Sequence, residues 1–283
     1  MRIALITDIH ANLPALRTAL ESVRRHSPDR ILSLGDQINL GPCPRETLEL
    51  LARHDVTCLH GNHEGYILSV MAGDETFSGV NFESLRFNAA RVTAEEITFP
   101  RELRIEGITF CHAIPGNDRF PVNDPKKALP LLRAMQAKEP THIVCGHAHN
   151  PVQYRLPNLM IDSIGSVGCM DNGAPGMTNY AILDLERGAS VLQPYTVPYD
   201  TRPLRGLFMR SGMADQCPVM ARLICLQMES NFDYLLRFLH LAFPISRSRG
   251  EEHMSRESWL LADERFDWPD GKTTAEYWKE AGR

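Results

Sequence analysis

The stretch Arg2-Ile3-Ala4-Leu5-Ile6-Thr7-Asp8-Ile9-His10 decides the fold class, because a short apolar run ends there on an aspartate and a histidine. An unbroken run of this kind reads as a strand buried on both faces. Asn12-Leu13-Pro14 then supplies an N-cap and a proline suited to a first helical turn, opening a helix to about His26. The pattern repeats. Arg30 to Leu34 is strand-like and runs into Gly35-Asp36, Pro44 to Arg53 is helical, and Val56 to His60 is strand-like and runs into Gly61-Asn62-His63-Glu64. Such alternation predicts a parallel-type α/β arrangement, in which ligands collect where the strands end.

Residues 62–100 look mainly helical, with Phe82 to Val92 carrying apolar positions at helical spacing. Ile105 to Cys111 reads as a strand ending at His112, and Pro125 to Lys138 as an amphipathic helix. His142 to Cys145 is a strand ending at Gly146-His147-Ala148-His149. From Val152 to about Tyr195, short strands broken by Gly, Pro and Asn predict a second sheet packed on the first, so the catalytic unit is expected to span residues 1–200. Residues 201–283 form a C-terminal extension. Pro218 to Phe243 is apolar at helical spacing but interrupted by Arg222, Glu229, Asp233 and Arg237, which predicts amphipathic helices broken at Ser230-Asn231. The polar residues 245–283 hold Trp259, Trp268 and Trp278, so this tail is expected to dock on the core or on a partner subunit.

Composition narrows the functions. With 283 residues, 43% hydrophobic and 23% charged, the chain has material for a large core. A net charge of −5 gives no broad positive field, so no stable nucleic-acid complex is expected and any anion must be attracted locally. No stretch approaches the roughly 20 apolar residues of a membrane span, and the N-terminus lacks a secretory pattern. Seven scattered cysteines without Cys-x-x-Cys spacing read as buried thiols in a reducing compartment, which makes the expected location cytoplasmic.

Five elements carry the chemistry: Asp8-Ile9-His10, Gly35-Asp36, Gly61-Asn62-His63-Glu64, His112, and Gly146-His147-Ala148-His149. Asp and His one residue apart, leaving a strand end, are expected to point the same way and reach one ion. Carboxylate oxygen with neutral imidazole suits manganese, iron, cobalt, nickel or zinc, and the lack of thiolates argues against a closed structural zinc site. A hydrolytic pair of ions about 3.5–4 Å apart needs a bridging group, which a carboxylate supplies, and such a site stays cationic enough to hold a phosphate. Arg119, Lys126, Lys127 and Arg155 lie near these segments and could grip further phosphates, although solvated surface charge is the plainer reading.

Together these motifs resemble the calcineurin-like metallophosphoesterase superfamily over roughly residues 1–195. Asp36-Gln37-Ile38-Asn39-Leu40-Gly41-Pro42-Cys43-Pro44 and Gly165-Ser166-Val167-Gly168 are similar to its small bacterial and archaeal phosphodiesterase branch. The resemblance implies a four-layer αββα sandwich of two mixed sheets flanked by helices. It implies that Asp8, His10, Asp36 and His149 hold one divalent transition-metal ion and Asp36, Asn62, His112 and His147 a second, manganese being favoured. It also implies in-line attack by a metal-bridging hydroxide with His63 as general acid. Small phosphodiesters or nucleotides are the implied substrates; a phosphoprotein phosphatase and a non-catalytic scaffold are the alternatives. Two departures fall near the metals: Ala113-Ile114-Pro115 follows His112, and Ser163-Ile164 precedes Gly165 where the branch has Asn-Pro. The extension departs from the minimal domain, and a lid or a homo-oligomer contact is expected of it.

Overall fold

A computed structural model describes residues 1–135, 141–186 and 189–282. Within them two five-stranded sheets pack face to face. The first contains β1 (Arg2–Ile6), β2 (Arg30–Ser33), β3 (Thr57–Cys58), β9 (Met177–Glu186) and β10 (Ala189–Pro198), in the order β10-β9-β1-β2-β3. The second contains β4 (Glu102–Ile105), β5 (Ile108–Cys111), β6 (Thr141–Cys145), β7 (Pro151–Leu156) and β8 (Leu159–Ile164), in the order β4-β5-β6-β8-β7. Strands β1, β2 and β3 are parallel, as are β5, β6 and β8, and antiparallel strands close the edges.

The solid apolar run of β1 has two destinations. Ile3 and Leu5 pack between the sheets with Leu32, Phe110, Val144 and Leu183, while Ala4 and Ile6 face Leu16 and Leu20 of α1 (Leu13–Arg24). On the far side of the second sheet, Ala128 and Leu132 of α5 (Pro125–Met135) pack with Ile143 and Ile161. These are the four expected layers. Residues 136–138, expected to complete α5, lie outside the described residues.

Two expectations change. The strand expected over Ile105–Cys111 is one arm of a hairpin, β4 to β5, turning through Glu106 at φ 48° and Gly107 at φ 79°. The late strands do not form a sheet of their own: β7 and β8 extend the second sheet, while β9 and β10 return to the first.

The extension adds α6 (Pro203–Arg210), α7 (Met213–Gln216), α8 (Pro218–Ser230), α9 (Tyr234–Ser248), α10 (Arg256–Arg265) and α11 (Thr274–Ala281) to the helical layer over the first sheet. Helix α8 is buried along its whole course from Val219 to Met228 rather than amphipathic, and it ends on Asn231 at φ 52° near the expected break. All three tryptophans are buried, so the tail docks on the chain's own core. No helix among the described residues is long and apolar enough to cross a membrane.

Arg222, fully buried in α8, pins the tail. Its guanidinium donates to Asp270 Oδ1 at 2.6 Å, Lys272 O at 3.0 Å and Thr274 Oγ1 at 3.2 Å, and lies 3.7 Å from the Trp268 ring centroid. Arg222→Ala removes the cation, its hydrogen bonds and its stacking, which is expected to cost about 3 kcal/mol. The melting temperature should fall by roughly 6 °C or more, and tryptophan emission should shift to the red. A melting temperature within about 2 °C of wild type would show that the tail is held by apolar packing alone.

Candidate metal centre

Every motif lies just beyond a strand of the two sheets' common edge. Asp8 and His10 follow β1, Asp36 follows β2, Asn62 and His63 open α3 (Asn62–Met71), His112 follows β5, and His147 and His149 follow β6. Backbone hydrogen bonds knit these loops: Asp8 N to Gly35 O at 3.1 Å, His10 N to Asp36 O at 3.0 Å, and Gly146 N to His112 O at 2.8 Å. Strand alternation does not aim the side chains. Asp8 and His10 at φ 50°, Asp36 at 55°, His147 at 64° and His149 at 58° are all in the left-handed region. Such backbone costs on the order of 1–3 kcal/mol per residue and persists only where its surroundings enforce it.

The side chains converge in two groups that meet at Asp36. Asp8, His10 and His149 offer donor atoms within 4.8 Å of one another, and so do Asp36, His112 and His147. His10 Nε2 is 3.1 Å from His149 Nε2, and His149 Nε2 is 3.5 Å from Asp8 Oδ1. Asp36 Oδ2 lies 3.3 Å from His112 Nε2 and 3.9 Å from His10 Nε2, so one carboxylate reaches both groups. Asn62 Oδ1 joins the second group, 2.9 Å from His112 Nε2. His63 belongs to a third set with His10 and Asp36, its Nε2 3.8 Å from Asp36 Oδ2.

The electrostatics fit divalent cations. Asp8 and Asp36 are buried, and the ionic contacts recorded for both are to histidines alone. Asp8 Oδ1 is buried without a hydrogen-bond partner, an arrangement that is costly unless something else binds it. Burial holds His10 well below the usual imidazole range and His147 down to about 3, which keeps both neutral as ligation requires. Burial opposes the Asp36 carboxylate, but His112 and His63 beside it hold it well below its ordinary value. Burial likewise opposes the His112 imidazolium, while Asp36 carries that ring up to about 10. The 3.1 Å between the His10 and His149 nitrogens suits two ligands of one ion with bonds of about 2.0–2.1 Å. The residues present therefore fit a metal centre.

Sequence reasoning left two supporting residues without a role, although both lie in the quoted motifs. Glu64 accepts from Asp36 N, Gln37 N and Gly61 N, each at 2.9 Å, and so clamps the Asp36 loop to the start of α3. The side-chain amide of Asn39 pairs with His63 Nδ1 at 2.6 Å, which holds the ring with Nε2 on the side of Asp36. Gly61 is required by space, because a Cβ there would come within 2.2 Å of Asp36 Oδ1. At the departures, Ile114 bridges to Asn117, and Ser163 Oγ donates to Gly146 O at 2.9 Å, bracing the loop before His147. Of the four cations singled out, Arg155 pairs with Asp162 and Lys127 with Asp124.

A family model described as calcineurin-like phosphoesterase matches residues 1–174. A solved metallophosphoesterase from Sphaerobacter thermophilus superposes with a TM-score of 0.60 at 22% identity, over 79% of this chain and 98% of that one. A hypothetical protein from Pyrococcus horikoshii superposes at 0.59 and 17% identity, over 79% of this chain and 97% of its own. At these identities the likeness is one of fold. An uncharacterised protein of Methanocaldococcus jannaschii is 40% identical over 68 residues, 23% of this chain. That match spans 27% of the relative's own length.

Proposed function

The chain belongs to the calcineurin-like phosphoesterase family, and we propose that it hydrolyses small phosphodiester or nucleotide-type substrates at a dinuclear metal centre. The observation that carries this reading is the meeting of the two donor groups at Asp36, beside the orphaned Asp8 Oδ1. In this reading Asp8, His10, Asp36 and His149 hold one ion, and Asp36, Asn62, His112 and His147 the other. When bound, the ions supply an acidified water and positive charge for the phosphoryl oxygens. His63, outside both sets, faces the scissile phosphate; as an imidazolium it gives its Nε2 proton to the departing oxygen as the phosphorus–oxygen bond breaks, and is left as the neutral ring. Residues 1–200 carry all these groups, and residues 201–283 support them from behind. Tyr199 OH donates to Met228 O at 2.5 Å and accepts from Asn12 Nδ2, whose amide also donates to Gly168 O behind Asp8.

The test is metal removal. Chelator-treated protein is expected to lose hydrolysis of bis(4-nitrophenyl) phosphate and to regain it when manganese is restored, with about two equivalents bound. A protein that binds no manganese in calorimetry, or one equally active after complete stripping, would rule the reading out.

A further inference from the structure

Tyr66 follows His63 by three residues on α3, the spacing that puts both on one helix face, and the two rings meet edge to face with centroids 5.5 Å apart. Arg119 reaches the same tyrosine, its guanidinium carbon 4.5 Å from the ring centroid. It arrives because the chain after His112 doubles back. Ile114 and Asn117 bridge across a turn, Asn117 Oδ1 accepts from Arg119 N at 3.0 Å, and Arg101 holds the intervening Asp118 at 2.7 Å.

That hold decides the charge at Arg119. Because Asp118 is engaged by Arg101, Arg119 Nε stays 4.0 Å from its other oxygen, the outer limit of an ion pair. The Arg119 side chain is 61% exposed. A guanidinium oriented by stacking, weakly neutralised and open to solvent thus stands one ring away from His63.

We infer that Arg119 binds a second phosphate on the leaving-group side of the scissile one. The site then selects phosphoesters or phosphoanhydrides whose leaving group itself carries a phosphate. The inference rests on the phosphoesterase reading, which places the departing oxygen at His63 and so puts Arg119 beyond it. Guanidinium is suited to the task, because its planar fork meets phosphate oxygens two at a time. With a net charge of −5 the protein gives anions no diffuse attraction, so recognition of a polyanion depends on such local groups.

Binding separates this inference from turnover. Calorimetry on the full-length, manganese-loaded protein compares AMP with non-hydrolysable α,β-methylene-ADP, which differ by one phosphoryl group. Wild type is expected to prefer the diphosphate about tenfold, the scale of one partly exposed charge-assisted contact. Arg119→Gln should abolish that preference while leaving AMP affinity within about twofold, and Arg119→Lys should keep part of it, having the charge but not the fork. No preference in wild type, or an undiminished one in Arg119→Gln, would overturn the inference. A protein that keeps the Arg119-dependent preference yet hydrolyses no phosphoester would sink the enzymatic reading alone.

Discussion

Asp36→Asn is expected to hold no more than one equivalent of metal and to hydrolyse bis(4-nitrophenyl) phosphate at least about a thousandfold more slowly than wild type. The size follows from position. Among the described residues, Asp36 is the carboxylate in reach of both donor groups, 3.3 Å from His112 and 3.9 Å from His10. An amide in its place keeps the shape and one oxygen but loses the charge and the second acceptor. Two cations then approach each other with less negative charge between them, in a buried site where such repulsion is poorly screened. The fold should survive, because Glu64 grips the backbone of this loop at Asp36 N and Gln37 N, not the Asp36 side chain. Metal content with circular dichroism separates the outcomes. Two equivalents retained at wild-type turnover would remove Asp36 from the centre.

How much of this was legible in the sequence depends on the range of the interaction concerned. Strands β1 and β2 and helices α1 and α2 (Pro44–Arg53) could be read because their signals are local: apolar runs, an N-cap at Asn12 for α1, and prolines in both helices' first turns. The destination of β7 to β10 could not, because the choice of sheet is made by pairing partners, such as Leu183 opposite Ile3 and Ile161 opposite Ile143, that lie far off in the chain. The hairpin at Glu106-Gly107 was missed for another reason. Glu106 is a residue that usually avoids left-handed backbone, so the turn signal was half hidden.

The site divides in the same way. The seven side chains proposed as ligands stand in short motifs that the sequence displays. The means by which Asp8-x-His10 and His147-x-His149 present their side chains was misread, because left-handed turns, not strand alternation, aim them. The contacts that set the chemistry of His63 were invisible. Asn39 reaches it from the loop after β2, and Tyr66 brings Arg119 toward it from the loop after β5. Neither meeting leaves a pattern in the chain, since each depends on two loops arriving at one sheet edge.

His63→Ala carries the second large effect, and its signature is selectivity rather than loss alone. A general acid matters in proportion to how badly the leaving oxygen needs a proton. Hydrolysis of an alkyl phosphodiester is therefore expected to slow by about a thousandfold, within the usual range for acid–base catalysis. Bis(4-nitrophenyl) phosphate, whose leaving group departs readily as an anion, should slow by roughly tenfold or less. Both metal ions should remain, because the Asn39 amide already engages His63 Nδ1 at 2.6 Å and neither proposed ligand set includes His63. The competing arrangement is equally concrete, since His63 also stands in a three-residue set with His10 and Asp36. If the variant loses an equivalent of metal, His63 is a ligand. If metal is retained but both substrates slow equally, His63 contributes through charge or shape, and the proton must come from elsewhere.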